Sequence, residues 1–216
     1  DFNLYKLVFL TDPHLNFIIG KDKSPKLFEK FIDNISKHNP DGVLITGDIS
    51  EASTIKEHLI LLADNIPVPI YFVLGNHDFY YGSIQETRKV CRELMSVYPN
   101  LFYLSSVGRV PLTEKTMLVG HDGWYDGLYS QFSENSVIMN DFYIIKEFKE
   151  TANFNNARWN PKVIKDTHNL MKNLASEGAN IIEKNILDSV EKYKNMAKCD
   201  FSLTHKFLIV CPHLTN

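Results

Sequence analysis

Three short stretches carry residue types that hold metals and move protons. Asp12 and His14 flank a proline in "LVFLTDPH" (7–14), Asp48 follows a glycine in "ITGDIS" (45–50), and Asn76, His77 and Asp78 stand together in "VLGNHDF" (73–79). Carboxylate and amide oxygens combined with imidazole nitrogens suit borderline-hard divalent ions such as Mn, Fe, Zn or Co. The three cysteines, Cys91, Cys199 and Cys211, lie outside this set and form no CxxC pair. A structural zinc knot is therefore not expected. If the chain stays extended through Asp12 and His14, alternate residues point the same way, and the pair offers an oxygen and a nitrogen to one point in space.

Each stretch follows an apolar run, so the elements that must position it are legible. "LYKLVFLT" (4–11), "DGVLITGD" (41–48) and "PIYFVLGN" (69–76) read as buried strands. Between and after them come amphipathic stretches at 24–39, 54–66 and 83–98. The first of these has Ser24 as cap, Pro25 in the first turn, and Leu27, Phe31, Ile32 and Ile35 on one face. Shorter strands are expected at 100–104, 108–112 and 115–124. A βαβαβα run followed by more β predicts an α/β fold with a partly parallel sheet. In such sheets sites collect beyond the C-terminal ends of the strands, where all three polar stretches fall. The glycines before Asp48 and Asn76 allow tight turns and close backbone approach. Residues 125–159 read as loop with some helix. A long helix is expected over 160–198, with Gly178 a candidate kink and an apolar stripe for core or cap packing or a substrate lid. "KFLIVCPH" (206–213) reads as one more buried strand.

The bulk composition narrows the function classes. The 216 residues carry a net charge of −3, with 44% hydrophobic and 23% charged residues, ordinary for a globular protein. No basic block is present to neutralise phosphates, which disfavours nucleic-acid partners. No apolar run approaches the ~18 residues of a membrane span. Sparse, unpaired cysteines point to a reducing, cytoplasmic setting without a disulfide framework. Length favours one domain over 1–216, with 125–200 as an insertion or cap within it.

The order DxH, GDxx, GNHD, each after a strand, resembles the calcineurin-like metallophosphoesterase superfamily. The resemblance is strongest over residues 4–124. It implies a layered α-β-β-α sandwich with a helical insertion, and hydrolysis of phosphate esters at a dinuclear metal centre by metal-bound hydroxide. By position it implies Asp12 and His14 on the first metal, Asp48 bridging, and Asn76 and His213 on the second, manganese being the leading candidate. His77 would contact the phosphate and protonate the leaving group, oriented by Glu51 or Asp78. The substrate expected is a small phosphorylated molecule. "GDISEAS" and "GNHD" depart from the GDxVDRG and GNHE of the protein Ser/Thr phosphatases. The superfamily's GHxH motif does not occur, and "GHDG" (120–123) lacks its second histidine. The chain is accordingly expected to be C-terminally incomplete. A non-catalytic interaction module on the same fold and a metal-dependent nuclease are the alternative functions.

Other residues carry plainer expectations. His205 reads as structural, and His38, His58 and His168 as solvated helix residues. His121 either lines the cleft or does not. Asp122 and Trp124 read as a tight turn near the site, and Tyr80 and Tyr81 as packing residues on a site loop.

Overall fold

The computed structural model describes residues 4–20, 25–128, 139–152, 160–197 and 206–211. His205 and His213 lie outside these residues.

Strands β1 (Leu7–Leu10), β2 (Gly42–Thr46), β3 (Ile70–Val73) and β4 (Leu101–Tyr103) form a parallel sheet in the order β1-β2-β3-β4. Helices α1 (Leu15–Ile19), α2 (Pro25–Ser36), α3 (Ile55–Asn65) and α4 (Ile84–Met95) make the crossovers. A one-turn helix α5 (Leu104–Val107), which the sequence pattern does not announce, then leads into a second sheet. There β6 (Thr116–Gly120) lies between antiparallel β5 (Arg109–Thr113) and parallel β7 (Lys206–Val210).

The pleat of the first sheet explains its two-sided burial. Val43, Ile45, Ile70 and Phe72 face a core shared with the helices, including Leu15, Leu59, Leu62 and Leu94. The alternate residues Leu44, Tyr71 and Val73 face the second sheet and pack on Leu104, Leu118 and Val210. Strands buried on both faces have near-continuous apolar sequences, as observed in β2 and β3. The result is a mixed α/β architecture with two facing sheets, as expected from the sequence.

The remaining helices are α6 (Asp141–Ile144), α7 (Lys146–Ala152) and α8 (Pro161–Ala197). Phe142, Ile145 and Phe148 join Trp124, Met171 and Phe79 in the main core, which anchors this helical segment beside the 76–79 turn. Gly178 does not break α8. A Cβ there would stand 3.0 Å from the Gly123 Cα and from His121 Nδ1, so the glycine lets the helix lie against the 121–123 loop.

Two histidines differ from expectation. His58 is buried on α3 and its Nδ1 lies 2.6 Å from Ser50 Oγ. His168 is half-buried with Nε2 2.8 Å from the Asp126 carbonyl.

Candidate metal centre

Strand β1 ends at Leu10, so Asp12 and His14 do not continue a pleated strand. Both adopt left-handed backbone (φ 50° and 42°), as does Asp48 (φ 49°) after Gly47 (φ 97°). The turn, rather than strand alternation, aims these side chains. It is held by backbone bonds to the neighbouring loop: His14 N–H to the Asp48 carbonyl at 3.0 Å and Leu15 N–H to the Ile49 carbonyl at 2.8 Å. The Thr11 hydroxyl bonds the Asp12 carboxylate.

The third loop approaches Asp48 closely. A Cβ on Gly75 would lie 2.1 Å from Asp48 Oδ1 and 2.7 Å from the Asp48 backbone nitrogen, so only glycine fits. The His77 N–H donates to Asp48 Oδ1 at 3.1 Å. Fully buried Asp78 ties the two loops together, its carboxylate accepting from Ser50 N–H at 2.7 Å and Gly75 N–H at 2.8 Å. Glu51 accepts from the Asn16 amide at 3.4 Å. Among the described residues no hydrogen bond joins the His77 ring to Glu51 or Asp78; the ring instead stacks on Tyr80 (centroids 4.2 Å, planes 28° apart) and meets His14 edge-on at 4.9 Å.

His14, Asp48 and His77 each bring one potential ligand atom into a group within 4.8 Å of one another. Asn76 is buried next to His77, its amide nitrogen 2.9 Å from Asp141 Oδ1 and 3.2 Å from the Tyr80 hydroxyl. Burial pushes the Asp48 carboxyl above its ordinary value, opposed by the His77 and His14 imidazoles and the His77 N–H. Such a carboxyl is better served by a cation than by water it cannot reach. His14 Nε2 lies 3.9 Å from Asp48 Oδ2, too far for a hydrogen bond and a spacing that a shared cation would bridge. The donor set therefore fits a divalent ion.

One site neighbour, Asp141, has no signal in the sequence. It opens α6, within a stretch whose sequence reads as loop with some helix. Asp122, expected near the site, is also a buried junction: it accepts from Leu74 N–H (2.8 Å), Arg88 Nε (2.9 Å), Ser105 Oγ (2.8 Å) and the Tyr103 hydroxyl. His121, beside it, is also buried and accepts the Gly123 N–H at Nδ1 (2.9 Å). Tyr81 is exposed while Tyr80 is buried against the site.

Comparison with known proteins places the chain in a family. A family model described as calcineurin-like phosphoesterase matches residues 5–173. An uncharacterised metallophosphoesterase of Campylobacter jejuni is 34% identical over 80 residues, 36% of this chain and 20% of that protein. A transmembrane protein with a metallophosphoesterase domain from Bos taurus is 32% identical over 85 residues, 38% of this chain and 18% of that protein. The matches thus span about a fifth of those relatives' lengths. A crystal structure with 16% identity aligns over 71% of this chain and 66% of its own, with a TM-score of 0.43. Among the described residues no helix is long and apolar enough to cross a membrane. With a family match over residues 5–173 and a group at the strand ends that could hold a metal ion, the chain belongs to the calcineurin-like phosphoesterases, a family of metal-dependent phosphoester hydrolases.

Proposed function

We propose that this chain hydrolyses a small phosphorylated substrate at a centre of two divalent ions, with manganese the first candidate. Asp12 and His14 would hold one ion, Asp48 would bridge, and Asn76 and His213 would hold the other. The ions supply a water of lowered pKa and positive charge against the phosphoryl oxygens. His77 protonates the oxygen of the departing group, and its stack on Tyr80 restrains the ring for that task. Asp78 maintains the spacing of the Asp48 and Asn76 loops through its two backbone bonds, and Glu51 holds the Asn16 side chain beside the first loop.

The observation that carries this reading is the convergence of His14, Asp48 and His77 from three separate strand ends into one 4.8 Å group. Its test compares Mn²⁺-dependent turnover of a phosphomonoester and a phosphodiester with the metal counted in the same sample. Asp48→Ala is expected to lose bound metal and all turnover. His77→Ala is expected to retain metal and lose 10²-fold or more in turnover, about the contribution of one positioned acid. Normal turnover by His77→Ala would remove His77 from the acid role, and metal loss in that variant would make it a ligand instead. The ratio of the two ester rates assigns the chain to monoesters or diesters.

A further inference from the structure

We propose that Asp141 is a positioning residue, which orients the Asn76 amide and, through Tyr80, the His77 ring. The inference rests on the proposed role of Asn76 as a metal ligand and extends it to a residue 65 positions away in sequence, on the first turn of α6.

An asparagine side chain has two unlike prongs, and only the oxygen binds a cation. Which prong faces the site must be decided by what holds the other one. Here the Asn76 amide nitrogen donates to Asp141 Oδ1 at 2.9 Å and to the Tyr80 hydroxyl at 3.2 Å. Both N–H bonds are thus directed at oxygen acceptors, one on α6 and one on the Tyr80 ring. The carbonyl oxygen is turned the opposite way. A carboxylate is an acceptor only, so it cannot tolerate the flipped amide, whose oxygen would then face its own oxygens.

The second carboxylate oxygen has a related task. Asp141 Oδ2 accepts the Tyr80 hydroxyl at 3.3 Å, and the Tyr80 ring is stacked on His77. One buried side chain therefore braces both a proposed ligand and the proposed acid. Asp141 can do this because its backbone is itself fixed. Phe142 and Ile145 are fully buried in the core with Phe79, and two backbone bonds pin this segment to the site loop: Tyr81 N–H to the Ile144 carbonyl (3.2 Å) and Lys146 N–H to the Gly82 carbonyl (2.9 Å).

The test uses the whole protein and Mn²⁺ titrated by calorimetry. Asp141→Leu removes both acceptors while keeping the number and branching of the side-chain heavy atoms, and is expected to weaken Mn²⁺ binding by about 10–100-fold, the usual cost of losing a residue that orients a ligand. Asp141→Asn keeps an oxygen that can face Asn76 and is expected to bind within about threefold of wild type. Equal loss in both variants would mean that Asp141 acts by charge alone and would overturn the positioning role. Unchanged binding in Asp141→Leu would overturn it too, while leaving the metal centre standing. A wild-type chain that takes up no Mn²⁺ would overturn the metal centre and this inference together. Should Asp141→Leu fail to fold, the metal-free wild type still decides: the side-chain amide protons of Asn76 are expected to be protected from solvent exchange in the NMR spectrum. Rapid exchange there would refute the bracing.

Discussion

At the scale of single residues, the site is a set of constrained conformations held in place by neighbours. Asp12, His14 and Asp48 all occupy left-handed backbone, which costs on the order of 1 kcal/mol each for a residue with a Cβ. The backbone bonds between the first two loops and the Asp78 carboxylate between the second and third offset that cost. Gly75 is the tightest point. Its Cβ position is occupied by the Asp48 side chain and backbone, and the backbone nitrogen cannot swing away. Gly75→Ala is expected to displace Asp48, to destabilise the fold by about 1–3 kcal/mol as other overpacked positions do, and to lose metal binding disproportionately. Thermal melting together with Mn²⁺ calorimetry checks this. An alanine variant with wild-type metal affinity would show that the loop spacing is not what holds the ligands.

At the scale of elements, the sequence pattern located most strands and helices because periodicity is a property of short stretches. The strands are shorter than their apolar runs, since β1 ends before Asp12 and β3 before Gly75, and the polar stretches are turns, the third winding into one turn of 3-10 helix over His77–Phe79. The buried side of α3 consists of Ile55, His58, Leu59, Leu62 and Ala63, an i, i+3, i+4, i+7, i+8 series. His58 is thus legible by position, although its polarity argued for solvent. Contacts across long sequence separations left no such trace. Asp141 meets Asn76, and Glu147 of α7 meets the start of α4, only because the chain folds back on itself. Glu147 accepts from the Ser83 hydroxyl (2.6 Å), the Ile84 N–H (3.0 Å) and the Gln85 N–H (3.2 Å), so it caps a helix to which it does not belong. Burial alone would raise its carboxyl, but these donors outweigh that and hold it below its ordinary value. A depressed carboxyl contributes stability that is present above its unfolded-state pKa and lost as pH falls through the folded-state value. Glu147→Ala is expected to cost about 1 kcal/mol at pH 7, in line with other lost N-terminal caps, and progressively less below pH 4.5. Urea unfolding at pH 7 and pH 3.5 measures both; an equal cost at the two values would mean that the effect is packing rather than charge.

At the scale of the whole molecule, the two sheets are joined on one side by the Asp122 junction, which links the ends of β3 and β6 to Arg88 of α4 and, through Arg88, to Glu177 of α8. The strand ends that meet beside this junction carry acids of the candidate site, and the fold buries Asp48, Asp78 and Asp141 there. Burial raises the carboxyls of Asp48, Asp78 and Asp141 above their ordinary values. Stability from a raised carboxyl is complete below its unfolded-state pKa and is lost as pH rises through the folded-state value. Burial acts oppositely on His58 and His121, which are lowered from 6.5. Their stability is complete above that pH and is lost as pH falls toward the folded-state values. The metal-free protein is thus squeezed from both directions. A divalent ion bound as proposed would relieve the upper side, because it would favour ionised Asp48, while protons would compete with it on the lower side. Adding Mn²⁺ at about 100 times its dissociation constant at neutral pH is expected to stabilise the fold there by about 2.7 kcal/mol per site of that affinity, and EDTA to reverse the gain. The same concentration at pH 5.5 should raise the melting temperature much less than at pH 7.5, because burial raises the Asp48 carboxyl and protons compete with the ion for it. Melting curves with Mn²⁺ and with EDTA at the two pH values decide it. An equal increment at both would mean that the ion binds somewhere other than the Asp48 carboxylate and its imidazole neighbours.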